Sequence, residues 1–111
     1  MAPRTDALQG TLTLLILKTL EGGPRHGYAI AQHIQQASHA LLRVEEGSLY
    51  PALRRLEESG WVKSSWSITE SQRKARVYVL TPTGRRQLDE EEARWQRLLQ
   101  GVRHVLRFGE E

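Results

Sequence analysis

The side chains in this 111-residue sequence best suited to chemistry are the hydroxyls and guanidinium groups gathered in "GSLYPALRRLEESG", residues 47–60. Ser48 and Tyr50 carry hydroxyls, and Arg54 and Arg55 carry planar forks of N–H donors. Tyr50 and Arg54 stand four apart, neighbours on one face of a helix. Such a set suits phosphate oxygens, guanine edges and thymine methyls better than it suits making or breaking bonds. The alternative is that Arg54 and Arg55 pair with the adjoining Glu57 and Glu58 on a solvated helix face. A second basic group follows. From Lys63 to Arg86, six basic residues (Lys63, Arg73, Lys74, Arg76, Arg85, Arg86) meet one acid, Glu70, a net +5. Arg73 and Lys74 fall near the tip of an expected hairpin, where they suit phosphate or minor-groove contact. Arg76 alternates with Tyr78 and Leu80 on one strand face, and a carboxylate of the domain is as good a partner for it as DNA.

Other chemistries lack their parts. Ser48 is followed by Leu-Tyr, so it does not form the G-x-S-x-G turn of a serine nucleophile. "EGGP" is too short for a phosphate loop. Glu45 and Glu46 are successive loop residues, and a capping or turn role fits them better than acid–base work. His26 and His33 are seven apart, yet no further ligand completes a metal set around them; His26 is expected to organise the turn into a second helix. The sequence contains no cysteine, which removes disulfides and thiolate metal sites. No cofactor, metal or enzymatic activity is expected. The apolar run Leu12–Leu17 is far short of the ~20 residues that span a bilayer, so a cytoplasmic protein without a membrane partner is expected. A net charge of +3 permits nucleic acid as a partner.

The elements that must hold these residues are legible from periodicity. Residues 7–21 place Leu8, Leu12, Leu15, Ile16 and Leu20 on one helical face, with Gly22 as the C-cap. Residues 27–36 bring Ile30 and Ile34 together at i, i+4. Residues 48–59 turn Leu49, Leu53 and Leu56 inward, each worth roughly 1.5–3 kcal/mol when buried. Residues 61–67 and 75–80 switch to β-type composition around a polar loop, which reads as a hairpin. Residues 83–107 carry Leu88, Trp95, Leu98, Leu99, Val102 and Leu106 at a helical period. Three short helices, a hairpin and a long helix spell a mainly α (α+β) winged helix-turn-helix with a two-stranded β-wing. Residues 1–81 form the DNA-binding unit and residues 82–111 a dimerisation helix, one compact unit with the first helix. A long apolar stripe on an unpaired helix would leave an exposed patch, so a homodimer is expected, with Leu12 and Ile16 of the first helix joining the six stripe residues named above.

Pro51 is the discordant residue, because a proline in a helix interior costs about 3 kcal/mol. A helix starting near Gly47 or Ser48 would put it in the first turn, where its missing N–H is not needed. Ser48 could then cap an orphan N–H, and Ser48, Tyr50, Pro51, Arg54 and Arg55 would form the face presented to a major groove. Whether Tyr50 reaches DNA or packs beneath it stays open.

The stretches "GTLTLLILKTL", "GPRHGYAI", "EEGSLYPALRRLEESGWV" and "RKARVYVLTPTGRRQL", from about Leu8 to Leu88, resemble the PadR family of bacterial transcriptional regulators. The short C-terminal part is similar to the subfamily with a single C-terminal helix. The resemblance implies a homodimeric, repressor-like protein that binds double-stranded DNA at a pseudo-palindromic operator. It also implies a C-terminal helix packed on the partner's first helix, major-groove contacts from Ser48, Tyr50 and Arg54, and wing contacts near Arg73 and Lys74. In some drug-responsive members a tryptophan of the last helix lines a ligand pocket between subunits; here that would be Trp95, with a small-molecule inducer as a further partner. The sequence departs from the family pattern on the second wing strand, where Val77 and Val79 replace a tyrosine and a charged residue.

Overall fold

The computed structural model describes the backbone of residues 2–107 and the side chains of residues 10–107. The element order is α1 (Ala2–Glu21), β1 (Arg25–His26), α2 (Gly27–Ala37), α3 (Glu46–Glu58), β2 (Val62–Ile68), β3 (Lys74–Leu80) and α4 (Pro82–Leu106). The expected side chain of Leu8, and the end of the expected 82–111 helix past residue 107, lie outside the described residues.

The core forms where the apolar faces of these elements meet. Leu12, Ile16, Leu17 and Leu20 of α1 pack with Ile30 and Ile34 of α2 and with Leu49, Ala52, Leu53 and Leu56 of α3. Val62, Tyr78 and Leu88 close the cluster from the sheet and α4. The hairpin is antiparallel, with Ser64 opposite Tyr78, Trp66 opposite Arg76 and Ile68 opposite Lys74. A third strand, not expected from the sequence, adds to it: Arg25 and His26 pair with Tyr78 and Val77, giving the order β1-β3-β2. Two residues are too few to show a period-2 pattern, and the strand exists because its backbone groups meet the free edge of β3. His26 is thus both the last strand residue and the N-cap of α2, with φ −68° and ψ 155°.

Turn chemistry fixes the ends of the helices. After α3, the Trp61 N–H donates to the Leu56 carbonyl and the Gly60 N–H to the Glu57 carbonyl, with Gly60 at φ 79°. That is a Schellman ending, and only glycine takes its left-handed residue without a Cβ penalty. The same pair of bonds ends α2, where Ala40 donates to Gln35 and His39 to Gln36; there the positive φ angles fall on His39 (55°) and Ala40 (65°). α4 starts on Thr81, whose hydroxyl accepts from the Gly84 N–H at 2.9 Å and donates to the Gly60 carbonyl at 2.7 Å. Pro82 opens the helix, where its missing N–H is harmless. Gly84 is buried against the Trp61 carbonyl, closer than a Cβ would permit.

Pro51 does not sit in the first turn. α3 begins at Glu46, capped by the backbone of Glu45 without a side-chain cap bond, so Pro51 is its sixth residue. Ser48 is the third helical residue rather than the cap. Leu49 already donates a helical bond to Glu45, and Pro51 removes the donor that Gly47 would have received. Gly47 and Pro51 are both exposed, so water can serve that carbonyl.

Candidate nucleic-acid interface

α3 divides cleanly by face. Leu49, Ala52, Leu53 and Leu56 are in the core, while Gly47, Tyr50, Pro51, Arg54 and Arg55 are exposed and Ser48 is half-buried. Arg54 and Arg55 take part in no ion pair or side-chain hydrogen bond among the described residues. The expected alternative, pairing with Glu57 and Glu58, is absent. Glu57 instead accepts a 2.7 Å bond from Ser64 of β2. Two guanidinium groups therefore stand on the outer face of the second helix of a helix-turn-helix with no carboxylate partner.

Tyr50 lies between the two roles left open for it. It is 41% exposed, yet its ring edge rests against α2: a Cβ added to Gly27 would meet ring atoms at 2.9–3.3 Å. Burial, followed by the Glu46 carboxylate, raises its hydroxyl above the ordinary tyrosine value, so it stays a neutral donor at physiological pH. Burial likewise raises Tyr78. Glu45 is drawn aside by Arg43 at 3.8 Å, and Glu46 occupies the first turn of α3, where the helix dipole favours an acid.

The wing tip is ordered by its own hydrogen bonds. Thr69 donates its N–H to the Arg73 carbonyl at 2.8 Å, its hydroxyl accepts from the Arg73 N–H at 3.2 Å, and Gln72 takes φ 65°. Arg73 and Lys74 follow, exposed and without ion pairs among the described residues. Two features of this side were missed in the sequence. Tyr28, exposed and stacked on His26 with centroids 5.5 Å apart, lines an open groove of about 520 Å³ with Gln32, Gln35, Glu46 and Gly47. Tyr28 and Gln32 are i, i+4 on α2, which was the available signal. The other is Trp66, 62% exposed on the wing beneath the Arg76 guanidinium.

The residues expected at a dimer contact separate into two groups. Leu12, Ile16 and Leu88 are 0–2% exposed inside the chain's own core and have no surface left for a partner. Trp95, Leu98, Val102 and Leu106 are exposed and Leu99 is half-buried. Trp95 and Leu98 line a groove of about 480 Å³ between α1 and α4, with Gly10, Thr11, Leu14 and Arg94. Ion pairs Lys18–Glu92 at 3.7 Å and Arg85–Glu21 at 3.6 Å lash the first half of α4 to α1. The second half extends beyond them, and the molecule measures 59 × 28 × 28 Å. Among the described residues no cluster of three or more metal-ligating side chains occurs, and no helix is long and apolar enough to cross a membrane.

Comparison with known proteins agrees with this geometry. Residues 16–90 match the "Transcriptional regulator PadR-like family". A PadR family transcriptional regulator from Eggerthella lenta superposes with a TM-score of 0.77 at 35% identity, over 97% of this chain and 93% of that one. A transcriptional regulator from Clostridium thermocellum gives 0.78 at 29% identity, over 94% and 95%. Among curated relatives, the transcriptional regulator Rv3488 of Mycobacterium tuberculosis is 38% identical over 66 residues, 60% of this chain and 58% of that one. An uncharacterized 37.1 kDa transposon protein of Streptomyces fradiae is 42% identical over 78 residues, 70% of this chain but 21% of its own length. With a winged helix-turn-helix and two unneutralised basic surfaces in place, the match over residues 16–90 settles the family: the chain belongs to the PadR-like transcriptional regulators.

Proposed function

We propose that the chain is a homodimeric repressor that binds a pseudo-palindromic operator. Each α3 enters a major groove, and the half-sites lie about one helical turn apart, roughly 34 Å. The observation that carries this reading is the state of Arg54 and Arg55, exposed on α3 and unpaired although Glu57 and Glu58 adjoin them. Ser48, Tyr50 and Pro51 share that end of the helix, and Arg73 and Lys74 extend the contact from the wing. Residues 1–81 supply this surface; residues 82–111 join the copies, through Trp95, Leu98, Leu99, Val102 and Leu106 set against the α1–α4 groove. Charge favours an antiparallel arrangement. Asp89–Glu92 form an acidic block, whereas residues 93–107 contain Arg94, Arg97, Arg103 and Arg107 and no acid, so the distal half of one α4 complements the proximal half of another.

Selection of bound duplexes from random and genomic DNA at two salt concentrations tests the reading. One sequence family with two-fold symmetry is expected to emerge. Arg54→Ala combined with Lys74→Ala removes four contacts from the dimer and should weaken binding to it by about a hundredfold or more. Unchanged affinity would refute the assignment of these residues.

A further inference from the structure

The hairpin face that begins in the core continues outward past it. Its cross-strand rungs are Ser64 with Tyr78, Trp66 with Arg76 and Ile68 with Lys74. Tyr78 is 5% exposed, whereas Trp66 and Ile68 are 62% and 66% exposed. At the boundary a chain of contacts ties wing to recognition helix. Arg76 Nη1 donates to Ser64 Oγ at 2.6 Å, Ser64 Oγ donates to Glu57 Oε2 at 2.7 Å, and the Arg76 guanidinium lies 4.7 Å above the centre of the Trp66 ring. A hydroxyl has one proton, and here both of its functions are used: it donates to the carboxylate and accepts from the guanidinium. Both outer partners are charged, which makes each bond shorter and stronger than a neutral one. The stacked ring fixes the plane of the guanidinium from the other side. The contact spans seven residues in sequence on one side and twelve on the other, whereas the hydrogen bonds of Thr69 at the wing tip run to Ser71, Gln72 and Arg73 within the tip.

We infer that Glu57, Ser64 and Arg76 are positioning residues that set the angle of the wing against α3. They thereby fix the distance between the DNA contacts of Arg54 and those of Arg73 and Lys74. A hairpin free to swing must give up that freedom on binding, whereas one already braced has lost it in the free protein. Glu57 therefore acts on DNA affinity without touching DNA. The inference rests on the DNA-binding reading above, because it assigns the wing a contact outside the segment read by α3.

The test combines changes in protein and in DNA. The probe is the duplex selected by the wild-type chain, either intact or shortened so that the flank facing the wing is missing. Shortening should weaken wild-type binding about tenfold, the scale of one lost contact. For Glu57→Ala and Ser64→Ala, intact and shortened duplexes should bind within about twofold of each other. Ser64→Thr, which keeps the hydroxyl and the strand propensity, should restore the tenfold ratio. A merely destabilised fold lowers affinity for both duplexes alike and leaves their ratio at the wild-type value, so the ratio isolates positioning. Unchanged ratios in both alanine variants overturn the inference while DNA binding stands. Failure of the wild type to select any duplex overturns the DNA-binding reading and this inference with it.

Discussion

At the scale of single residues, Gly27 and Tyr50 form a couple whose parts the sequence did not connect. Gly27 is buried at the start of α2, and the space where its Cβ would be is taken by the Tyr50 ring. No positive φ requires glycine there, so the requirement comes from the approach of α3. In Gly27→Ala the tyrosine must yield, and it can, because the atoms in the way are the far end of a half-exposed side chain. Alanine also has less freedom to lose from the unfolded chain, worth about 0.4–1 kcal/mol, which offsets the repacking. We predict a melting temperature within a few degrees of wild type, since about 1 kcal/mol shifts a domain of this size by roughly 4–8 °C. Operator affinity should fall by about tenfold as Tyr50 leaves its place on the reading face. Equal affinity in the variant would show that Tyr50 does no more than fill the gap between α2 and α3.

At the scale of elements, the apolar stripe of α4 serves two masters. Leu88 is buried in the chain's own core, whereas Leu98, Val102 and Leu106 are exposed. From the sequence these positions looked alike, because periodicity reports that a face is apolar and not which chain covers it. Leu12 and Ile16 were assigned to a partner for the same reason. The helices and the hairpin were otherwise legible to within a few residues wherever a period of 3.6 or 2 ran long enough. The opening of α1 was missed because "APRTDA" carries no stripe, and β1 because two residues carry no period. The unpaired state of Arg54 was not legible, nor was the turn of Glu57 toward Ser64, a partner on the wing. Leu98→Asp places a charge in the outward half of the stripe, where it disturbs no buried contact of the isolated chain. It should leave helix content by circular dichroism near wild type and halve the mass by light scattering at micromolar concentration. A wild-type chain that is already monomeric under those conditions would refute the dimer.

At the scale of the whole molecule, two groups of basic residues are electrically distinct. Arg54, Arg55, Arg73 and Lys74 have no acidic partner, whereas Lys18 and Arg85 are engaged with Glu21 and Glu92 between α1 and α4. The first set lies on α3 and the wing tip, where it is placed to displace the counterions condensed on a duplex. The logarithm of the binding constant should therefore fall with the logarithm of salt concentration, at a slope of about −7 when these four cations of each protomer all meet phosphate. Lys74→Ala removes one such contact per protomer and should make the slope shallower by about 2. Arg85→Ala removes the same charge from the chain but from the engaged set. It should leave the slope unchanged while loosening the α1–α4 junction by no more than about 1 kcal/mol, as exposed ion pairs do. Net charge alone would make the two variants equivalent. A difference between their slopes, measured on one duplex over one range of salt, is what a localised interface requires, and equal slopes would mean that the protein meets DNA only as a diffuse positive body.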